Sequence, residues 1–278
     1  MLHTEGSFKG EKILTLYYQG WLPEQTPKAM LLIVHGLAEH SGRYMNVVDY
    51  FVPRGYAVYG FDQRGHGKSE GARCYVDRFT DLITDLHIFV HMVHGFHRGV
   101  KLFLLGHSIG GVIAIAYATQ YQDELSGLIL SGAGLKAGES ITPLMKLMAR
   151  VFSAVFPKMG VSTIEASAIS KDKAVVDAYV NDPLVYRGKI SARLGNELMK
   201  MMDKYLPPRM QQIKLPILIM HGTEDRLMNK EGSTLIYNAA GSSDKTLKLY
   251  EGYYHEIYNE PERGQVFSDV EAWLTRHI

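Results

Sequence analysis

The stretch that most constrains this chain is Gly106-His107-Ser108-Ile109-Gly110, set between two contrasting segments. Before it, Val100-Lys101-Leu102-Phe103-Leu104-Leu105 is short and apolar, as expected of a strand buried on both faces. After it, Val112-Ile113-Ala114-Ile115-Ala116-Tyr117-Ala118 is rich in Ala and free of Pro, which predicts a helix. A G-x-S-x-G pattern in that context describes a sharp strand-to-helix turn that strains the serine backbone and exposes its hydroxyl. Gly106 and Gly110 suit the turn because a side chain at either position would collide with nearby backbone. The helix start also aims N–H groups and the positive end of its dipole at the serine. Ser108 is therefore a candidate nucleophile, and the flanks weigh against a Gly-rich turn that merely happens to contain serine.

Other apolar runs repeat the pattern. Residues 12–18 alternate weakly and read as an edge strand of a hairpin ending near Trp21. Continuous apolar runs at 30–34, 56–60, 127–131 and 217–220, with 246–250, predict a mostly parallel sheet covered on both sides by helices. Helices are expected up to about Val52, from Phe79 to His94 with Leu82, Leu86, Phe89, Val90 and Val93 inward, at 230–240, and from Glu262 to Arg276. The alternation breaks between Lys136 and Leu206, where helical patterns near 140–156, 171–180 and 190–204 replace parallel strands. The organisation expected is a core of residues 1–135 and 207–278 with a helical cap, residues 136–206, laid over the strands' C-terminal ends, where ligands bind in open α/β sheets.

A serine hydroxyl needs a base within reach and an acid to orient that base. Two strand ends supply both: Asp225 follows the 217–220 strand, and His255 follows the 246–250 strand. The order Ser108, Asp225, His255 is that of α/β-hydrolases, with Glu224 as the rival to Asp225. Asp225 is preferred because its place in the loop is the one such enzymes use. The backbone N–H groups of Ile109 and Leu37 are the expected oxyanion donors, Gly36 allows close backbone approach, and His35 reads as structural.

The segments HGLAEHSGRY (35–44), DQRGHGKSEG (62–71), GHSIGG (106–111), HGTEDRL (221–227), KTLKLYEGYYHE (245–256) and VDAYVNDPL (176–184) resemble the monoacylglycerol lipase family of the α/β-hydrolase superfamily. The resemblance runs from about residue 8 to the C-terminus. It implies the α/β-hydrolase fold, hydrolysis of the single ester of a monoacylglycerol to fatty acid and glycerol without a cofactor, and an apolar acyl tunnel in a cap associated with membrane docking. It also implies that Glu39, Arg43 and Tyr179 shape the glycerol pocket. The chain departs from the family at Ile109, commonly Met, where only the backbone acts, and at Tyr258, where some members carry His.

Residues 141–156 are apolar too broadly for one buried stripe. One side can line a pocket, to which we assign Leu144, Met145, Met148 and Phe152; the other either packs on the body or meets lipid or a partner. Burying ten methylenes of an acyl chain would gain up to ~8 kcal/mol before ordering costs.

A net charge of +1 excludes an electrostatic case for nucleic acid, and a single cysteine, Cys74, permits a reducing compartment. The polar N-terminus and the absence of a long apolar run predict a cytoplasmic protein with peripheral membrane contact through the cap. His87, His91 and His94 have a spacing that can hold a metal on one helix face, but each lies beside a core position and no further ligand is evident, so no metal is expected. Gly67-Lys68-Ser69 fails as a phosphate loop because Asp62 stands where the first Gly belongs; Asp62 and Arg64 are expected to brace their loop. Three activities remain distinguishable: a monoacylglycerol hydrolase, a lysophospholipase or general carboxylesterase of the same fold, and a non-catalytic binding protein on the same scaffold.

Overall fold

The computed structural model of the chain describes residues 1–136 and 143–278, apart from the side chains of Pro143, Met145 and Lys146. The expected start of the cap helix at residue 140, and Met145 as a pocket residue, lie outside that description.

Strand β1 (Leu2–Lys9) pairs antiparallel with β2 (Thr15–Leu22) along its whole length. Sequence patterning assigns no strand to residues 2–9, because they are mostly polar and exposed; β1 exists through its pairing with β2. β3 (Ala29–Val34), helix α1 (Met45–Phe51) and β4 (Tyr56–Phe61) follow, then α2 (Phe79–Phe96), β5 (Leu102–His107), α3 (Ile109–Tyr121) and β6 (Gly127–Ser131). After the insertion come β9 (Ile217–Gly222), α7 (Lys230–Ala239), β10 (Lys245–Tyr250) and α8 (Gly264–His277). The insertion itself holds α4 (Pro143–Val155), β7 (Gly160–Ser162), α5 (Lys173–Asn181), β8 (Ile190–Ser191) and α6 (Ala192–Lys200). Strands β7 and β8 form a short antiparallel pair, consistent with the expectation of no parallel strand there.

The eight-stranded sheet has the order β1-β2-β4-β3-β5-β6-β9-β10. Its first two pairings are antiparallel and the rest are parallel. The parallel strands β3 to β6 and β9 are buried throughout, which is why they read as unbroken apolar runs. One core lies between the sheet and helices α2 and α3, and a second between the sheet and helices α1 and α8. The five α2 positions expected to face inward are all buried.

The β4–α2 loop is braced as expected, though not by pairing Asp62 with Arg64. Asp62 accepts from Ser41 N–H and Lys68 N–H at 2.8 Å each, while Arg64 grips Asp85 through two bonds of 2.6 and 2.7 Å. His35 takes a bond from Gln63 N–H at 2.9 Å, which anchors the end of β3 to the same loop. The inserted segment is tied to the β3–α1 loop by His40 Nε2 to Asp182 (2.8 Å) and by Tyr186 N–H to the Ala38 carbonyl (2.8 Å).

Candidate active site

Ser108 follows β5 and caps α3 with φ 55° and ψ −123°. A non-glycine residue rarely adopts this conformation, and it persists here because the surroundings over-determine it. A Cβ on Gly110 would lie 2.0 Å from the Val34 carbonyl oxygen, so α3 can sit this close to β3 only with glycine there. Ser108 N–H bonds the Ser131 carbonyl at 2.9 Å, fixing the turn to β6.

His255 comes from the loop after β10 and Asp225 from the loop after β9. His255 Nδ1 lies 2.7 Å from Asp225 Oδ2, with both side chains buried. The other Asp225 oxygen accepts from Leu227 N–H (2.8 Å) and Met228 N–H (3.0 Å). The rival Glu224 is exposed. Burial disfavours charge on both members of the pair, but each outweighs that for the other. The Asp225 carboxyl is held below the usual carboxylate range and the His255 imidazole above its ordinary 6.5. His221 adds to the hold on Asp225, with Nε2 3.0 Å from Oδ2. Sequence reasoning missed this second partner, although it stands only four residues before Asp225, near the end of β9.

Ser108 and His255 open onto one cavity of about 520 Å³. Gly36, Leu37, Glu39, Ile109, Tyr179, Met148 and Phe152 line it as well. Leu37 stands three residues past the end of β3, and Ile109 opens α3, whose first N–H groups have no partner within the helix. Beyond the serine the walls are mainly apolar, from Val112, Ile190, Leu194, Leu198 and Met202.

Two expected pocket residues sit elsewhere. Leu144 is 65% exposed, on the outward face of α4; among the described residues, α4 turns Met148, Ala149 and Phe152 to the cavity. Arg43 lies outside the cavity wall, held between Glu39 (2.8 Å) and Glu256 (2.6 and 2.9 Å) and stacked on the Tyr179 ring at 4.7 Å. Glu39 also accepts from Gly36 N–H (2.6 Å) and Tyr44 hydroxyl (2.8 Å), so one carboxylate shapes the whole β3–α1 turn. Glu256, which the sequence reading passed over, lines the cavity, and Arg43 overcomes its burial to keep it ionised below the usual carboxylate range. Tyr258 is buried and stacked parallel on Phe267.

On the far side of α2, the structure brings to the histidine face the partner that spacing alone lacks. His87 Nδ1 and His91 Nε2 lie 3.5 and 3.3 Å from the two oxygens of Glu124, while His94 Nε2 bonds the Glu124 carbonyl oxygen at 2.9 Å.

A strained serine and an oriented imidazole at the C-terminal edge of a mostly parallel sheet are what α/β-hydrolases use to cleave esters and amides. The family model described as serine aminopeptidase, S33 (Hydrolase_4), matches residues 25–262. A monoacylglycerol lipase of Mycolicibacterium smegmatis is 36% identical over 99% of this chain and 98% of its own. The human monoglyceride lipase is 35% identical over 94% of this chain and 87% of its own. The crystal structure of a Paleococcus ferrophilus monoacylglycerol lipase superposes with a TM-score of 0.85 at 31% identity, covering 95% of this chain and 99% of that one. The chain belongs to the monoacylglycerol lipase family of α/β-hydrolases and is a serine ester hydrolase.

Proposed function

We propose that this enzyme hydrolyses monoacylglycerols to fatty acid and glycerol through an acyl-enzyme intermediate. The observation that carries this reading is the convergence of Ser108 and of His255, held by Asp225, on one mainly apolar cavity that Glu39, Glu256 and Tyr179 also line. Asp225 occupies His255 Nδ1, which leaves Nε2 to take the Ser108 proton as the hydroxyl attacks the ester carbonyl. Leu37 and Ile109 N–H groups receive the developing oxyanion; losing one such donor costs about 10²–10³ in rate. His255 then gives its proton to the departing alcohol oxygen and repeats the cycle with water. Asp225 keeps the imidazole oriented and stabilises its charged form. Among the described residues the reaction needs only these groups, and no cofactor enters it.

The acyl chain fits the apolar walls, including Met148 and Phe152. Glu39, Glu256 and Tyr179 flank the alcohol side. Arg43 is neutralised there by two carboxylates, so the rim suits a neutral hydroxyl-rich leaving group better than a phosphate. We assign residues 136–206 as a cap on the core of residues 1–135 and 207–278. Peripheral contact with lipid falls to the outer face of α4, where Leu144, Leu147, Val151 and Val155 are exposed. Among the described residues no helix is long and apolar enough to cross a membrane.

The test is a set of monoacylglycerols of increasing chain length assayed beside p-nitrophenyl esters, lysophosphatidylcholine and triacylglycerol, with Ser108→Ala as blank. Monoacylglycerol turnover exceeding that of the other lipids, and abolished in the blank, is expected. Faster turnover of lysophosphatidylcholine would move the enzyme to the lysophospholipases, and binding without turnover would refute catalysis altogether.

A further inference from the structure

We propose that the α2–α3 face carries a binding site for a divalent transition-metal ion, Zn²⁺ foremost, with His87, His91 and Glu124 as its protein ligands. Helix α2 supplies the two imidazoles one turn apart, and the short turn after α3 supplies the carboxylate. One ligand atom from each residue lies within 4.8 Å of the other two. Two neighbouring ligands of a tetrahedral ion with bonds of about 2.1 Å stand about 3.4 Å apart. The separation of His91 Nε2 from Glu124 Oε1, 3.3 Å, already matches that edge, and His87 Nδ1 stands 3.5 Å from the other oxygen of the same carboxylate. Imidazole with carboxylate is a donor set that suits zinc rather than magnesium or calcium.

The groups behind the ligands hold them in place. The buried Tyr117 hydroxyl donates to Glu124 Oε2, which leaves Oε1 to turn toward an ion. His94 holds the Glu124 backbone through its carbonyl, and His87 stacks on Tyr121 with ring centroids 4.1 Å apart. His91 is the outermost ligand at 61% exposure, so the fourth position faces solvent and the ion has an open path in. An ion there would cross-link α2 to the C-terminal end of α3, the helix that begins beside Ser108. Its effect is on stability, since nothing in this cluster touches the cavity.

The experiment titrates ZnCl₂ into the full, tag-free, chelator-stripped protein by calorimetry, with Co²⁺ absorption reporting coordination geometry. Wild type is expected to bind one Zn²⁺ at this face with micromolar affinity. At a hundredfold excess over Kd the melting midpoint should rise by about 5 °C. His91→Ala, an exposed position that folding tolerates, and Glu124→Gln should each weaken binding at least about tenfold, while His3→Ala should not. Failure of wild type to bind saturably at 100 µM or below, or binding that His91→Ala leaves intact, would overturn the proposal.

Discussion

Ser108 holds a conformation that its neighbours enforce, and His255 carries a proton affinity that its neighbours set. In the proposed mechanism the imidazole must be neutral to accept the serine proton, yet Asp225 holds it above its ordinary 6.5 against the effect of burial. Activity should therefore rise with pH through a midpoint above 6.5, read as the acid limb of kcat/KM. Replacing Asp225 with Asn removes the charge that raises the imidazole. In that variant the limb should move to lower pH while kcat falls by about 10⁴-fold, because the imidazole loses both its orientation and the stabilisation of its charged form. An unmoved limb in Asp225→Asn would mean that His255 is not the titrating base. The His107 ring lies tilted against His255, centroids 4.7 Å apart, but is pushed down to about 4 by burial and by that neighbour, so it stays neutral and does not compete for the proton.

Helix α4 is the element through which the proposed function has the enzyme meet its substrate. Its outward stripe of Leu144, Leu147, Val151 and Val155 recurs at helical spacing, while Met148 and Phe152 reach the cavity. In the proposed function the two faces of one helix divide lipid contact from acyl-chain contact, which would account for the breadth of its apolar pattern. Leu147→Asp with Val151→Asp should abolish co-sedimentation with phosphatidylcholine vesicles. Hydrolysis of a short water-soluble ester should stay within about twofold, because neither side chain lines the cavity. Co-sedimentation that survives both charges would remove α4 from the membrane contact. The β4–α2 loop depends on the buried Arg64–Asp85 pair, and Asp85→Ala should cost about 3 kcal/mol in denaturant unfolding by leaving the buried guanidinium only the longer 3.6 Å pairing with Asp81.

Across the whole molecule, buried neutral histidines set the acid limit of stability. Burial holds His35 and His107 near 4 and His66 near 3, against 6.5 in the unfolded chain. Above 6.5 neither state binds their protons. Below it the unfolded chain binds them first, so stability falls as pH drops from about 6.5 toward 4 and below, ahead of the main titration of surface carboxylates. Melting temperatures recorded across that range should decline steadily, and a flat profile would contradict the burial of these rings.

The sequence by itself determined what is local. The strained turn at Ser108 is written in Gly106 and Gly110, and the parallel strands are written in runs such as Leu31-Leu32-Ile33-Val34, because the sterics of a tight turn and burial on both faces act within a few residues. The family likewise followed from short motifs. Only the tertiary structure decided what depends on distant parts of the chain meeting. It paired β1 with β2, chose Asp225 over Glu224 as the carboxylate on His255, and added His221 behind it. It also turned Leu144 outward, locked Arg43 between Glu39 and Glu256, and set Glu124 against two histidines of another helix. Such contacts arise from how whole elements pack, and the residues within any one segment carry no record of which partner will stand opposite.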